Sequence, residues 1–426
     1  MQTIRALLFT ALATAVVAAS SAAQGAVHIV DVTDPSALSW QEALSVAADG
    51  DVILLRKPSH AGGTHILGKS LQVVADTGYE PVLGSGETCD ITGQEITIGA
   101  LAPGQRVVLR GVEVQGLFLS NCDGQVWVED SLVYDEQPAL RAMYCADLVL
   151  HDVEIQGMYQ SVYDMYGTCW VGVGLDLFDT SAVLHDVKAT GGDGLSLTYS
   201  SDLGAYMYTS GLHGIQIQGG SLWLSGGVLQ GGNGGNGGLD TQWNQCIPGM
   251  DAGHGLLLQA GSPQVMLRGV TAAGGAAGVY VGSTDCSSGS TADGAPGFGV
   301  QVSSGAVQEL SGTPIQLHVA SPVREQQVLT ASVSGPAGLP VILLASPTFG
   351  KLSLVAVSGP LLTGIPQLVL PLGPLPASGT LSLQAAVPEL GAGLQFASWT
   401  LQVISIEGGQ RIAGPATSLL LLDSGL

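Results

Sequence analysis

The sequence predicts an all-β chain in two parts, a parallel β-helix solenoid followed by a small β-sandwich. Three observations carry that prediction. The first is a recurring phrase: Val108-Leu-Arg-Gly-Val112, Trp127-Val-Glu-Asp-Ser131, Val149-Leu-His-Asp-Val153, Val183-Leu-His-Asp-Val187, Trp223-Leu-Ser-Gly-Gly227 and Met266-Leu-Arg-Gly-Val270. One short strand of this kind cannot bury its apolar face alone, so repetition implies stacking. The second is a partner strand that accompanies the later copies, in Gly174-Leu-Asp-Leu, Gly214-Ile-Gln-Ile, Gly255-Leu-Leu-Leu and Gly299-Val-Gln-Val. The third is a change of texture near Ile315: the last 116 residues hold twelve prolines and the glycine repeats stop.

At the N-terminus, Arg5, an apolar run from Ala6 to Ala18 and the small residues Ser21-Ala22-Ala23 read as a secretory signal over residues 1–23. No other apolar stretch is long enough to span a membrane once the signal is removed. Behind Pro35 the apolar spacing predicts a helix near residues 36–48, and Asp51-Val-Ile-Leu-Leu reads as a buried strand. This helix, Gly-Asp and strand resemble the N-terminal cap of right-handed parallel β-helix proteins, the pectin-lyase-like family. The resemblance implies a right-handed parallel β-helix over residues 24–312, closed at its start by the cap helix.

Within that body the second residue of the phrase recurs first at intervals of 19 and 22, which suit one coil, and then at 34, 40 and 43. The longer intervals mean either two coils or one coil with an insert. The glycine-rich stretches 191–211, 231–253 and 274–297 read as loops protruding from one side. Residues 313–426 offer eight short candidate strands, beginning with Ile315–Val319 and ending with Thr417–Leu422, separated by Pro/Gly turns. That spacing suits an immunoglobulin-like β-sandwich, and Gly373-Pro-Leu-Pro-Ala-Ser-Gly-Thr380 and Ser418-Leu-Leu-Leu-Leu-Asp-Ser424 resemble the C-terminal modules of secreted bacterial proteins.

The chain carries a net charge of −22, concentrated in residues 1–310, which hold 30 acidic and 9 basic side chains against 4 and 3 afterwards. That balance argues against nucleic acid as a partner and suits cations, neutral glycans or a salty exterior. Six cysteines in an exported chain imply disulfides. Pairing Cys122 with Cys145 would leave Cys89 and Cys169 several coils apart, so the expected bridges are Cys89–Cys122, Cys145–Cys169 and Cys246–Cys286.

No complete catalytic set is visible. His213-Gly214 and Gly253-His254-Gly255 resemble the Gly-His-Gly element of polygalacturonase-type hydrolases, but the accompanying Asn-Thr-Asp, Asp-Asp and Arg-Ile-Lys motifs are missing. The same slot holds Val173 and Phe298 in other copies, which suits a residue that fills a corner. Lyase chemistry would need carboxylates around Ca²⁺ and a base, for which Asp176, Asp179 and Arg141 are the available residues. Gly231 to Asp240 resembles a single Ca²⁺-binding nonapeptide with Asn in place of Asp, and reads as a flexible loop. His151-Asp152, His185-Asp186, Arg110-Gly111 and Arg268-Gly269 read as polar turn residues, and no metal site is expected.

Eight of ten tyrosines lie between Tyr134 and Tyr208, and Tyr159, Tyr163, Asp164, Tyr166 and Trp170 crowd together. Rings that stack on sugar faces beside hydroxyl-accepting carboxylates suit a glycan platform; packing around a coil insertion is the competing explanation. The expectation is therefore a secreted or cell-surface protein with a binding or structural role on extracellular polysaccharide or a surface component. The alternative is a polysaccharide lyase or glycoside hydrolase of the pectin-lyase-like fold. No cofactor is implied, and Ca²⁺ enters only with lyase chemistry.

Overall fold

The structure, a computed structural model, describes residues 25–57, 64–84, 96–135, 138–158, 172–200 and 205–426. Across these residues the chain is all-β apart from one α-helix. Its main feature is a 21-stranded sheet paired in parallel along three ladders. The first runs from Thr64–Leu67 to Val300–Val302, the second from Val27–Asp31 to Ala306–Glu309 and the third from Val82–Leu83 to Thr271–Ala273. Two long strands, Leu117–Asp135 and Leu140–Gly157, pass through all three.

The second residue of the recurring phrase points inward. Leu109, Val128, Leu150, Leu184, Leu224 and Leu267 are register neighbours in the second ladder and join one apolar core. That register decides the long intervals: Leu150 pairs directly with Leu184, Leu184 with Leu224 and Leu224 with Leu267, so each is one repeat carrying an insert. The helix Trp40–Val46 buries Trp40, Ala43 and Leu44 on the first strands and hydrogen-bonds Trp40 Nε1 to Thr64 Oγ1 at 2.8 Å. It starts later than Pro35 suggests. A capping box, in which Ser39 and Glu42 satisfy each other's backbone N–H groups, sets the first turn there.

The glycine-rich inserts are packed against one another. Gly231, Gly234 and Gly237 donate to Ala273, Ala276 and Val279 of the next repeat at 2.9, 2.9 and 3.0 Å, whereas Gly232 and Gly235 donate to Leu212 and Thr209 at 2.8 and 3.3 Å. The third positions, Asn233 and Asn236, donate to Asp193 Oδ1 and Ser196 Oγ of the preceding repeat at 2.7 and 3.0 Å. Three residues per turn, each bonding in its own direction, is the pattern of a polyproline II helix packed against its own copies. Residues 209–214, 249–255, 274–279 and 292–298 keep the same rule. Glycine is required by space: a Cβ on Gly232 would lie 2.0 Å from Gly192 O, and one on Gly253 would lie 1.8 Å from Leu212 O. The flexible-loop reading of Gly231 to Asp240 is thereby overturned, because each repeat's backbone fills the space a side chain would need.

Residues after Ile315 form three further sheets, two of them around their own core and the third a two-stranded arm of Phe349–Ser353 and Pro360–Thr363. A three-stranded antiparallel sheet of Gln316–Val319, Val328–Ser334 and Thr380–Ala386 faces a six-stranded mixed sheet centred on Phe396–Glu407 and Gln410–Leu422. The run Leu419 to Leu422 is apolar throughout because it is buried on both faces. Leu419 and Leu421 enter the local core, while Leu420 and Leu422 pack on Val52, Leu54 and Val74 of the large parallel sheet.

Candidate functional site

The outer face of the second ladder lies under this C-terminal lobe. Along one line, Val108, Trp127, Val149, Val183 and Trp223 point outward and pack against Leu362 and Ala416. Beside it runs a polar line in register: Arg110, Glu129, His151, His185, Ser225 and Arg268. Arg110, His151, His185 and Arg268 lie on strands and are buried, which corrects their reading as polar turn residues: the neighbouring lobe covers the face on which they sit. The adjacent turn residues Asp130, Asp152 and Asp186 take left-handed φ values of 50°, 52° and 52°.

Glu129 is the hub. Its carboxylate accepts from Thr417 Oγ1, from Ser418 N at 2.9 Å and from Trp127 Nε1 at 3.0 Å, and lies 3.3 Å from both Arg110 Nη1 and His151 Nδ1. Arg110 in turn donates to Ser418 O, and to Val319 O and Asp130 Oδ2 at 2.7 Å. Burial works to raise the Glu129 pKa, but Arg110, His151 and the Ser418 N–H hold it down at about 2. Burial also works against the charged form of His151, yet its hydrogen bond and attraction to Glu129 push its pKa up. His185 lacks such a partner. Burial, with His151 and Arg268 nearby, lowers it to about 3.

A pH dependence follows from His185. Its folded pKa lies below the ordinary 6.5, so the unfolded chain takes up the proton first; the stability that depends on neutral His185 is complete above 6.5 and drains away towards pH 3. Asp186, raised to about 6 by burial, and His151 act in the opposite sense. The contribution is therefore isolated by difference: His185→Leu flattens the fall in thermal midpoint between pH 6.5 and 3 relative to the wild type. Parallel curves for the two proteins would refute it.

Between the lobes the second ladder opens into a cleft of about 310 Å³. Val183, Trp223 and Met266 form its apolar wall, the arm Phe349–Ser353 and Pro360–Thr363 forms the opposite wall, and Ser181, Ser221, Ser353 and Lys351 bring polar atoms to it. Lys351 Nζ donates to Ser181 Oγ at 2.8 Å, Ser181 and Ser221 share a 2.9 Å hydrogen bond, and Asp147 lies 3.8 Å from the amine. Burial lowers the Lys351 pKa, with Asp147 opposing. A second cavity of about 300 Å³ is lined by Asp130 and His318, which with Asp152 place three ligand atoms within 4.8 Å of one another. Those three are the described residues best placed to hold a cation, although Asp130 is already engaged by Arg110. Nothing in the spacing of the sequence links His318 to them.

The residues expected from sequence divide. Arg141 and Asp176 are register neighbours joined by a 2.9 Å ion pair, whereas Asp179 occupies an exposed turn with φ of 43°. Tyr159, Tyr163, Asp164, Tyr166 and Trp170 lie outside the described residues, as do Cys89 and Cys169. The Cys246–Cys286 bridge is present. Cys122 and Cys145 are buried free thiols, so the Cys89–Cys122 and Cys145–Cys169 pairings are not formed; both side chains point into the core from neighbouring positions of adjacent strands. His213 and His254 stack at 5.1 Å, and each Nδ1 accepts a backbone N–H of the next repeat, from His254 at 3.0 Å and from Phe298 at 2.9 Å. That bond fixes the proton on Nε2 and gives the slot a structural task, which Phe298 in the last repeat does not need to perform. No family model matches the sequence, and no curated protein does.

Proposed function

We propose that the chain is a secreted right-handed parallel β-helix with a C-terminal immunoglobulin-like β-sandwich, and that it binds extracellular polysaccharide. Three in-register parallel ladders around one apolar core support the first part of this reading, and the Cys246–Cys286 bridge supports an oxidising compartment. The cleft between the lobes carries the binding reading. It combines an apolar wall with a few convergent polar groups, the combination that small-molecule sites use, and hydroxyls with an amine suit sugar hydroxyl groups. Against the lyase and hydrolase alternative stands the Arg141–Asp176 ion pair, which engages the one arginine that alternative would use as its base.

The test is calorimetric titration with a panel of soluble polysaccharides, alongside assays for new reducing ends and unsaturated sugars. Binding without turnover is expected, weakened at least tenfold by Lys351→Ala and by Ser221→Tyr, which fills the cleft. Turnover would move the protein to the enzyme class. Affinity that is untouched by both substitutions would remove the cleft from the function.

A further inference from the structure

A second contact surface is built at the far end of the glycine-rich inserts. There the strands Gly237–Asp240 and Gln245–Ile247 form a hairpin, flanked by Tyr280–Val281 and Ser288–Gly289 of the next repeat in a four-stranded sheet. At its tip stands Trp243, with 69% of its surface exposed, whereas Trp40, Trp127, Trp223 and Trp399 are at most 9% exposed. The exposure is not a consequence of looseness. Asp240 Oδ1 accepts from the N–H groups of Gln242 and Trp243 at 2.8 and 3.1 Å, the N–H of Ser287 donates to Asn244 O at 2.8 Å, and Cys246 is bridged to Cys286. Below the sheet lies the packed glycine bundle.

We propose that Trp243 is a stacking platform for an uncharged polysaccharide. A rigid indole supplies a flat apolar face at little entropic cost, and sugar rings offer a matching face of C–H groups. The charge pattern selects among glycans. Between Lys188 and Arg324 the chain has one lysine or arginine, Arg268, and it is buried, so the hairpin and the inserts that carry it offer no such cation of their own to a uronate or sulfate. Gln242, Asn244 and Gln245 flank the indole in sequence and offer amide donors and acceptors suited to hydroxyls. An anionic chain would also meet the repulsion of a protein at −22.

This inference rests on the glycan-binding reading but uses a different surface, so the two fail separately. The wild type, Trp243→Ala and Lys351→Ala are compared on soluble neutral glucans, mannans and chitin oligosaccharides and on polygalacturonate, with intrinsic fluorescence and calorimetry as readouts. Expected are a shift of tryptophan emission with a neutral glycan, little change in affinity between low and high salt, and at least a tenfold loss in Trp243→Ala with an unchanged thermal midpoint. Equal binding by Trp243→Ala, or a preference for polygalacturonate, overturns the proposal. Loss in Lys351→Ala but not in Trp243→Ala leaves the cleft reading standing and removes this one; absence of binding to every glycan removes both.

Discussion

Glu129→Ala is expected to destabilise the protein by about 3–5 kcal/mol, the cost of breaking a buried charged pair by removing one partner. The substitution deletes the acceptor shared by Thr417 Oγ1, Ser418 N and Trp127 Nε1, and leaves the Arg110 guanidinium and His151 with one opposite charge fewer in a site closed to water. Because these groups join the parallel body to the strand Gln410–Leu422, the loss falls on the attachment of the C-terminal lobe as well as on the local fold. Denaturant unfolding monitored by the emission of Trp127 and Trp399, both buried, reads it directly. Glu129→Gln keeps one acceptor and should fall in between. The pair Glu129→Leu with Arg110→Met should recover most of the loss, since two charges removed together leave none orphaned. A Glu129→Ala protein within about 1 kcal/mol of the wild type would show that the network is decorative.

The repeat was legible because its inward residue is apolar in every copy, from Leu109 to Leu267, and because inward and outward positions alternate. The covering lobe was harder to infer, yet a signal was present. The first residue of the phrase is Val, Trp or Met although it points outward, and that is the mark of a strand buried on both faces. His151 and His185 were misread for the same reason: a polar residue beside a turn looks solvated until the lobe that covers it is known. The inserts failed differently. Glycine is the commonest residue of loops and also of tightly packed threefold helices, and composition alone cannot separate them. The period can: Gly-Gly-Asn-Gly-Gly-Asn repeats every three residues, as does Gly249, Ala252 and Gly255 on the return limb. The cleft between the lobes depends on residues 170 positions apart, Ser181 and Lys351, and no local pattern announces it.

Gly253→Ala is expected to break the glycine bundle, at a cost of about 3 kcal/mol or more. The added methyl would lie 1.8 Å from Leu212 O and 2.3 Å from its carbonyl carbon. Neither can yield cheaply. Leu212 O already accepts from Gly232 N at 2.8 Å, the N–H of Leu212 donates to Gly192 O at 3.0 Å, and Gly253 itself donates to Gly232 O and accepts from Gly275 N. A shift at one position therefore strains a hydrogen-bonded series that crosses three repeats. The damage should stay regional, because Leu256 and Leu258, directly after the bundle, are anchored in the main core. Amide hydrogen exchange separates these statements: the N–H groups of Gly232, Gly253 and Gly275 should lose protection by orders of magnitude while those of the second ladder keep theirs. Gly350→Ala provides the control, since its nearest neighbour would be 3.6 Å away, and should cost under about 1 kcal/mol. If Gly253→Ala exchanged like the wild type, the inserts would be loops after all, and the rigid seat of Trp243 would go with them.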